Sequence, residues 1–184
     1  MVKIVQKDDK VLRQIAQEVL KSDFGTAKLK KVLSDMKKAL ASQDDGVAIA
    51  APQIGVPLRI FVVSGRVIAY TKGEDVTDQN DALIRAKYPD MVFVNPVITK
   101  SSKTKKLMEE GCLSIRYLYG KVKRSDKVSL TALDENGEKI SRGASGLMAQ
   151  IFQHETDHLD GILFTDKATD VKDMPPEMLE KNKQ

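Results

Sequence analysis

The stretch Gln153-His154-Glu155-Thr156-Asp157-His158 carries both histidines of this 184-residue chain. On a helix, residues four apart share a face, so His154 and His158 can reach one ion, while Glu155 points about 100° away from His154. A carboxylate placed there reaches a water held by the ion without itself being a ligand. Working outward, Ser145 can cap a helix that runs through Leu159, and Asp160-Gly161 can end it. Leu147 and Ile151 lie on the histidine side, whereas Met148, Phe152 and Leu159 lie on another. The alternative reading is a pair of exposed histidines on an amphipathic helix. Apolar residues on more than one side favour a buried helix, and buried histidines need partners.

A catalytic metal site usually has three protein ligands and an open position. The third candidate is the single cysteine, Cys112, within Glu110-Gly111-Cys112-Leu113-Ser114. Taken alone, a lone cysteine reads more often as a small core residue. Its neighbours favour a site: Gly111 permits close backbone approach, and Leu113 can offer its backbone N–H to a substrate oxygen. Glu110 and Arg124 read either as support for this loop or as a surface pair. Gln153, beside His154, is a candidate anchor for the ligand it precedes.

Composition sets the frame. The chain is long enough for one domain with a real core. Hydrophobic residues make up 41% and charged residues 30%, with a net charge of +4 in which lysines are interleaved with acids. No apolar run approaches the ~18 residues of a membrane span, and the first residues lack the apolar core of a signal peptide. One cysteine excludes an internal disulfide. With no tryptophan and 5% aromatics, little is available for stacking bases. The expectation from these features is a cytoplasmic protein with neither a membrane nor a nucleic acid as a direct partner.

The periodicity predicts an α+β fold. Leu12, Ile15, Ala16 and Val19 repeat at helical spacing behind Asp8-Asp9. Leu29, Val32, Leu33, Met36 and Leu40 form a second helical stripe. Arg59–Val63, Met91–Val94 and Lys127–Leu133 read as strands, the last turning at Asn136-Gly137 into Glu138–Ser141. Residues from about Tyr70 to Asp90 read as a long surface loop. The expected organisation is one catalytic domain over residues 1–166, with partly antiparallel sheets packed around the helix that carries the histidines. A polar tail over residues 167–184 is expected to be weakly ordered or to form a short helix over Glu177 to Lys183.

Three segments resemble the signature motifs of peptide deformylases: Gly46-Val47-Ala48-Ile49-Ala50-Ala51-Pro52-Gln53, Glu110-Gly111-Cys112-Leu113-Ser114, and Gln153-His154-Glu155-Thr156-Asp157-His158-Leu159-Asp160-Gly161. The resemblance covers roughly residues 1–166, with a longer and more polar stretch between the first two motifs than in compact members. It implies a hydrolase that removes the N-formyl group from the formyl-methionine of newly made polypeptides. Cys112, His154 and His158 would hold one divalent metal, Fe(II) natively, with Zn(II), Ni(II) or Co(II) as alternatives. The ion makes hydroxide available near neutral pH, and Glu155 acts as general base. The Gln53 amide and the Leu113 N–H would stabilise the oxyanion. Without the resemblance, Gln53 would read as a loop glutamine. The substrate would lie extended against Val47, Ala48 and Gly111, with its methionine among Val47, Met108, Leu147, Gln150 and Ile151. Each of those pocket residues reads equally well as ordinary core. Partners would be N-formylmethionyl chains near the ribosome. Residues 166–184, with four lysines and five acids, offer no strong electrostatic contact to ribosomal RNA.

A zinc endopeptidase shares His-Glu-x-x-His but usually finds a third histidine or an acid downstream. Here Asp160, Asp166 and Asp170 are available, and Cys112 is the discriminator. A binding protein that kept the fold and lost the reaction is the other alternative. Three positions depart from the family pattern. Ala48 stands where glycine is usual, Arg116 where proline is common, and Gln150 makes the pocket wall more polar. If the Ala48 methyl crowds substrate, Ala48→Gly leaves turnover unchanged or raises it; a large loss of kcat/KM would refute the crowding.

Overall fold

In a computed structural model, residues 2–77 and 79–175 are described, and they form a mixed α/β domain with antiparallel sheets. Five strands make one sheet: β1 (Ala48–Ala50), β2 (Ile60–Val63), β3 (Met91–Ser101), β6 (Lys127–Leu133) and β7 (Lys139–Ser145), in the order β1-β2-β3-β6-β7. Three more, β4 (Lys105–Gly111), β5 (Leu118–Ser125) and β8 (Thr169–Asp173), make a second sheet in the order β4-β5-β8. The helices are α1 (Ala27–Ala41), α2 (Gly65–Thr71), α3 (Asp81–Lys87) and α4 (Gly146–Leu159).

The five-stranded sheet is covered on both faces, which explains why β2 is apolar throughout. Ile60 and Val62 pack with Leu29, Leu33, Met36 and Leu40 of α1. Phe61 and Val63, pointing the other way, pack with Ala149, Ile151, Phe152 and Leu159 of α4. The α4 face is locked by three rings. Phe61 stacks on Phe93 at 4.7 Å between centroids, and Phe152 meets Phe93 edge-on at 5.1 Å. Helix α4 also contacts β5 of the second sheet. It begins after Ser145, which makes no side-chain capping bond, and stops at Asp160 and Gly161. Gly161 has φ +72, and a Cβ there would lie 2.8 Å from the Arg13 carbonyl oxygen. A side chain would therefore be both strained and crowded.

Several local expectations are corrected. The stripe from Leu12 to Val19 is not an α-helix; only Lys10–Arg13 turn, as a 3-10 helix capped by Asp9. Beyond it the backbone is spent on tertiary partners: Ala16 N–H donates to Leu159 O, Gln17 N–H to Pro57 O, and Arg59 N–H to Gln17 O. Ile15 is left 75% exposed. The span from Tyr70 to Asp90 is not a plain loop but ends α2 and contains α3. That short helix buries only Ile84, so it shows no periodicity. The β6–β7 connection is longer than a two-residue turn. It runs over residues 134–138, with the Asp134 carboxylate accepting from the N–H groups of Asn136 and Glu138. The second sheet extends beyond residue 166, since Thr169–Asp173 pair with β5. The expected helix over Glu177 to Lys183 lies outside the described residues.

Truncating the ring at the centre of the α4 interface, Phe93→Ala, is expected to cost about 3–5 kcal/mol. Urea unfolding monitored by circular dichroism measures this, and a loss below about 1 kcal/mol would mean that the three rings do not hold α4 in place.

Candidate metal centre and cavity

Three elements deliver the chemistry-bearing side chains. Strand β4 ends at Gly111 and hands the chain to Cys112. Helix α4 carries His154, Glu155 and His158. A 3-10 turn over Ala51–Ile54 carries Gln53. The ligand atoms of Cys112, His154 and His158 lie within 4.8 Å of one another, a group that could hold a metal ion. The Cys112 Sγ is 3.2 Å from His158 Nε2. Ligand atoms around a tetrahedral ion sit roughly 3.5 Å apart, so the group needs little adjustment to fit one.

The second nitrogen of His154 has a defined partner. His154 Nδ1 is 2.9 Å from Glu110 Oε2, which leaves Nε2 for the cluster. This is the carboxylate–histidine arrangement that fixes a ligand's tautomer and ring angle. Glu110 is itself gripped by Arg124, whose Nε and Nη2 donate to the two carboxylate oxygens at 2.7 and 2.9 Å. Both side chains are nearly fully buried. The third Arg124 donor reaches Asp157 Oδ2, and Lys167 holds the other Asp157 oxygen at 2.7 Å. Gln153 ties α4 to the end of β5. It accepts from Ser125 N–H at 2.9 Å and donates to Ser125 O at 3.0 Å.

The electrostatics favour ligand forms. Burial alone would raise the Cys112 pKa, but the neighbouring His158 and His154 rings outweigh it and bring the thiol to about 5. Cys112 is therefore poised as the thiolate that binds metals. Burial likewise pushes Glu110 up, and Arg124 with His154 overcomes it, holding the carboxyl at about 2. Glu155 goes the other way: burial raises it to about 6, against the pull of the histidines. Its Oε2 and the Nδ1 of His158 are buried atoms with no hydrogen-bond partner among the described residues.

A cavity of about 260 Å³ opens beside this cluster. Of the residues expected to meet substrate, Val47, Ala48, Gly111, Leu147, Gln150 and Ile151 line it, as do Gln53, Leu113, Cys112, His154 and Glu155. Met108 does not; it sits back along β4 opposite Val122. Gln53 is buried, accepts from Ala50 N–H through Oε1, and aims its amide nitrogen at Ser114 Oγ (3.2 Å) and Cys112 Sγ (3.5 Å). The Leu113 N–H has no hydrogen-bond partner among the described residues. At Gly111 a Cβ would fall 2.7 Å from the Tyr119 ring, which explains the glycine. Ala48 has no positive φ, and its methyl packs in the core with Phe61 and Val63, so a glycine there would relieve no backbone strain.

Sequence reading missed three contributors. Ser114, fully buried, accepts from Gln53. Asp157, inside the histidine motif, is a second anchor for Arg124. Residues Tyr117, Leu118 and Tyr119, which follow the Arg116 already singled out, line the cavity. Only Asp157 carried a usable signal, since it lies three residues from His154 and one from His158.

A cysteine and two helical histidines thus cluster within reach of one ion, and the buried Glu155 lines the cavity beside them. The chain matches the model of the polypeptide deformylase family over residues 1–174 and belongs to that family. It is 42% identical over 166 residues to peptide deformylase 1A, chloroplastic/mitochondrial, of Arabidopsis thaliana, covering 89% of this chain and 60% of that protein. It is 39% identical to peptide deformylase 2 of Clostridium acetobutylicum, covering 89% of this chain and 92% of that one. The fold superposes with a TM-score of 0.74 on the Met-Ala-Ser-bound class I type b peptide deformylase of Acinetobacter baumannii, at 29% identity over 90% of this chain and 97% of that one. The chain spans about 60% of the length of the plant relatives it matches. No helix among the described residues is long and apolar enough to cross a membrane.

Removing Arg124 leaves Glu110 buried and uncompensated. Arg124→Met is expected to cost about 3–5 kcal/mol of stability and to weaken metal binding by about 10–100-fold through the loosened His154. Denaturant unfolding and a competitive chelator titration read the two effects; unchanged metal affinity would show that Glu110 does not orient His154.

Proposed function

We propose that this chain is a metal-dependent peptide deformylase, hydrolysing the formamide of N-terminal formyl-methionine on newly made polypeptides. The observation that carries the reading is the clustering of Cys112, His154 and His158 at a cavity lined by Cys112, His154, Glu155 and Gln53. In this reading α4 is the metal-binding helix at the centre of the fold. One thiolate and two imidazoles suit Fe(II), Zn(II), Ni(II) or Co(II) rather than Mg(II) or Ca(II), and Fe(II) is proposed as the native ion. When bound, the ion supplies Lewis acidity toward the formyl oxygen and the attacking water.

The protein's own groups do the rest. Glu155, buried and without a partner at Oε2, takes a proton from the water that attacks the formyl carbon. It then gives the proton to the departing amine nitrogen, so formate and a free N-terminus leave. Gln53 Nε2 and the unpaired Leu113 N–H donate to the oxygen that gains charge. Strand β1, at one end of its sheet, offers an open edge to an extended peptide near Val47 and Ala48, with Gly111 opposite. Leu147, Gln150 and Ile151 receive the methionine side chain. The Gln150 amide is already committed to Glu109 O at 2.7 Å, so its aliphatic part is what remains for the methionine. A reducing compartment such as the cytoplasm suits a site that depends on a free Cys112 thiolate.

Protein loaded anaerobically with Fe(II) or Ni(II) is expected to release formate from a formyl-Met tripeptide. Glu155→Ala should still fold and bind metal but turn over about 10²–10⁴-fold more slowly, and Gln53→Ala about 10²–10³-fold more slowly. A metal-replete parent that releases no formate would sink the proposal.

A further inference from the structure

The net charge of +4 is unevenly spread over the surface. At the end of β4 away from Cys112, the β3–β4 connection is pinned against the β5–β6 connection. Ser102 N–H donates to Lys127 O at 2.9 Å, Lys127 N–H to Ser102 Oγ at 3.1 Å, and Asp126 N–H to Thr104 O at 3.0 Å. The pinning gathers Lys100, Lys103, Lys105, Lys106, Lys123 and Lys127, all exposed. Lys105 and Lys123 are diagonal neighbours across β4 and β5, as are Lys100 and Lys127 across β3 and β6. Apart from the buried Arg124, which Glu110 neutralises, the tip over residues 99–107 and 123–127 adds one charge to these six lysines. It is Asp126, held by Lys106 at 2.7 Å. The tip is thus more positive than the whole chain, and the remainder balances to slightly negative. The other five lysine side chains have no ion-pair or hydrogen-bond partner among the described residues. The even mix of lysines and acids along the whole chain conceals this asymmetry.

We propose that this basic tip docks on the phosphate backbone of RNA without reading its bases. Lysines interleaved with hydroxyl side chains are the groups that contact phosphates. Ser101 and Thr104 are exposed between the lysines, where their hydroxyls can also meet the 2′-hydroxyl that marks RNA. From Thr99 to Lys106 there is no aromatic residue for a base to stack on. Nor is there an apolar residue in that stretch to anchor in a bilayer, and the exposed Leu107 beside it is a single side chain. Strand β4 separates the tip from the cavity. Lys105 and Gly111 are its two ends, about 20 Å apart at ~3.3 Å per residue. RNA held on the tip therefore leaves the cavity clear.

The test follows the fluorescence anisotropy of a labelled, mixed-sequence RNA duplex titrated with the full chain as salt is raised. Five phosphate contacts predict that log K falls against log salt with a slope of about −4 to −5. The triple variant Lys100→Gln/Lys103→Gln/Lys105→Gln is expected to weaken binding at least about tenfold at low salt and to flatten the slope by about three. Lys3→Gln/Lys7→Gln/Lys10→Gln removes the same charge from an exposed stretch elsewhere and should leave the slope unchanged. All six positions are exposed and outside the cavity, so thermal melting by circular dichroism should match the parent for both variants. No binding by the parent at low salt, or equal loss in the two triple variants, would overturn the proposal. So would tighter binding to a DNA duplex of the same sequence. Tighter binding to phosphatidylglycerol vesicles at equal phosphate would assign the tip to a lipid surface and overturn it as well. These outcomes leave the deformylase reading untouched, since formate release tests that separately.

Discussion

The buried pairing of Arg124 with Glu110 is the constraint on which the site depends. Two charges taken out of water are costly, and the cost is offset only when geometry is good and remaining donors are satisfied. Here the guanidinium grips Glu110 with two nitrogens and spends its third on Asp157. Glu110 stands on β4, Arg124 on β5 and Asp157 on α4. One cation therefore fixes three elements at the point where the chain presents Cys112, two residues beyond Glu110, and where His154 leans on Glu110. A shift of β4 against α4 would break the ion pair and spread the ligand cluster together.

The rest of the fold serves to hold α4 still. On one side it meets Phe61 and Phe93 of the large sheet; on the other, Gln153 clamps it to the Ser125 backbone of the small sheet. Sites built on packed helices and strands hold their geometry better than sites on loops. Two of the three cluster residues are on that helix, and the third follows a strand directly. The large sheet is covered by α1 and α4 on its faces but leaves β1 bare along one edge, and that edge borders the cavity. Rigidity around the Cys112–His154–His158 cluster and an open strand edge beside the cavity thus come from the same layering.

The electrostatic pattern has a matching logic. Glu110 and Glu155 are both buried carboxyls, yet they are driven in opposite directions, to about 2 and to about 6. The difference is the partner: Glu110 has Arg124 at hydrogen-bond distance, and Glu155 has no cation bonded to it. Pairs of like groups pushed apart in this way mark a division of labour between a fixed anion and a group free to exchange a proton.

The sequence by itself determined the chemistry-bearing residues and the elements with strong period: the histidine spacing on α4, the stripe of α1, the apolar strands β2 and β3, and Cys112 between glycine and leucine. Those features are local, set by 3.6- and 2-residue repeats and by neighbours in the chain. Tertiary structure decided what depended on distant partners. The stripe from Leu12 to Val19 had helical spacing but gave its hydrogen bonds to Pro57, Leu159 and Arg59 instead. Strand β4, largely polar, showed only a strand-like character around Glu110; its extent and its pairing with β5 depended on the tertiary structure. Whether Glu110 and Arg124 formed a surface pair or a buried brace was undecidable from two charges 14 residues apart; only burial, which removes water as the competing partner, made them the brace of the site.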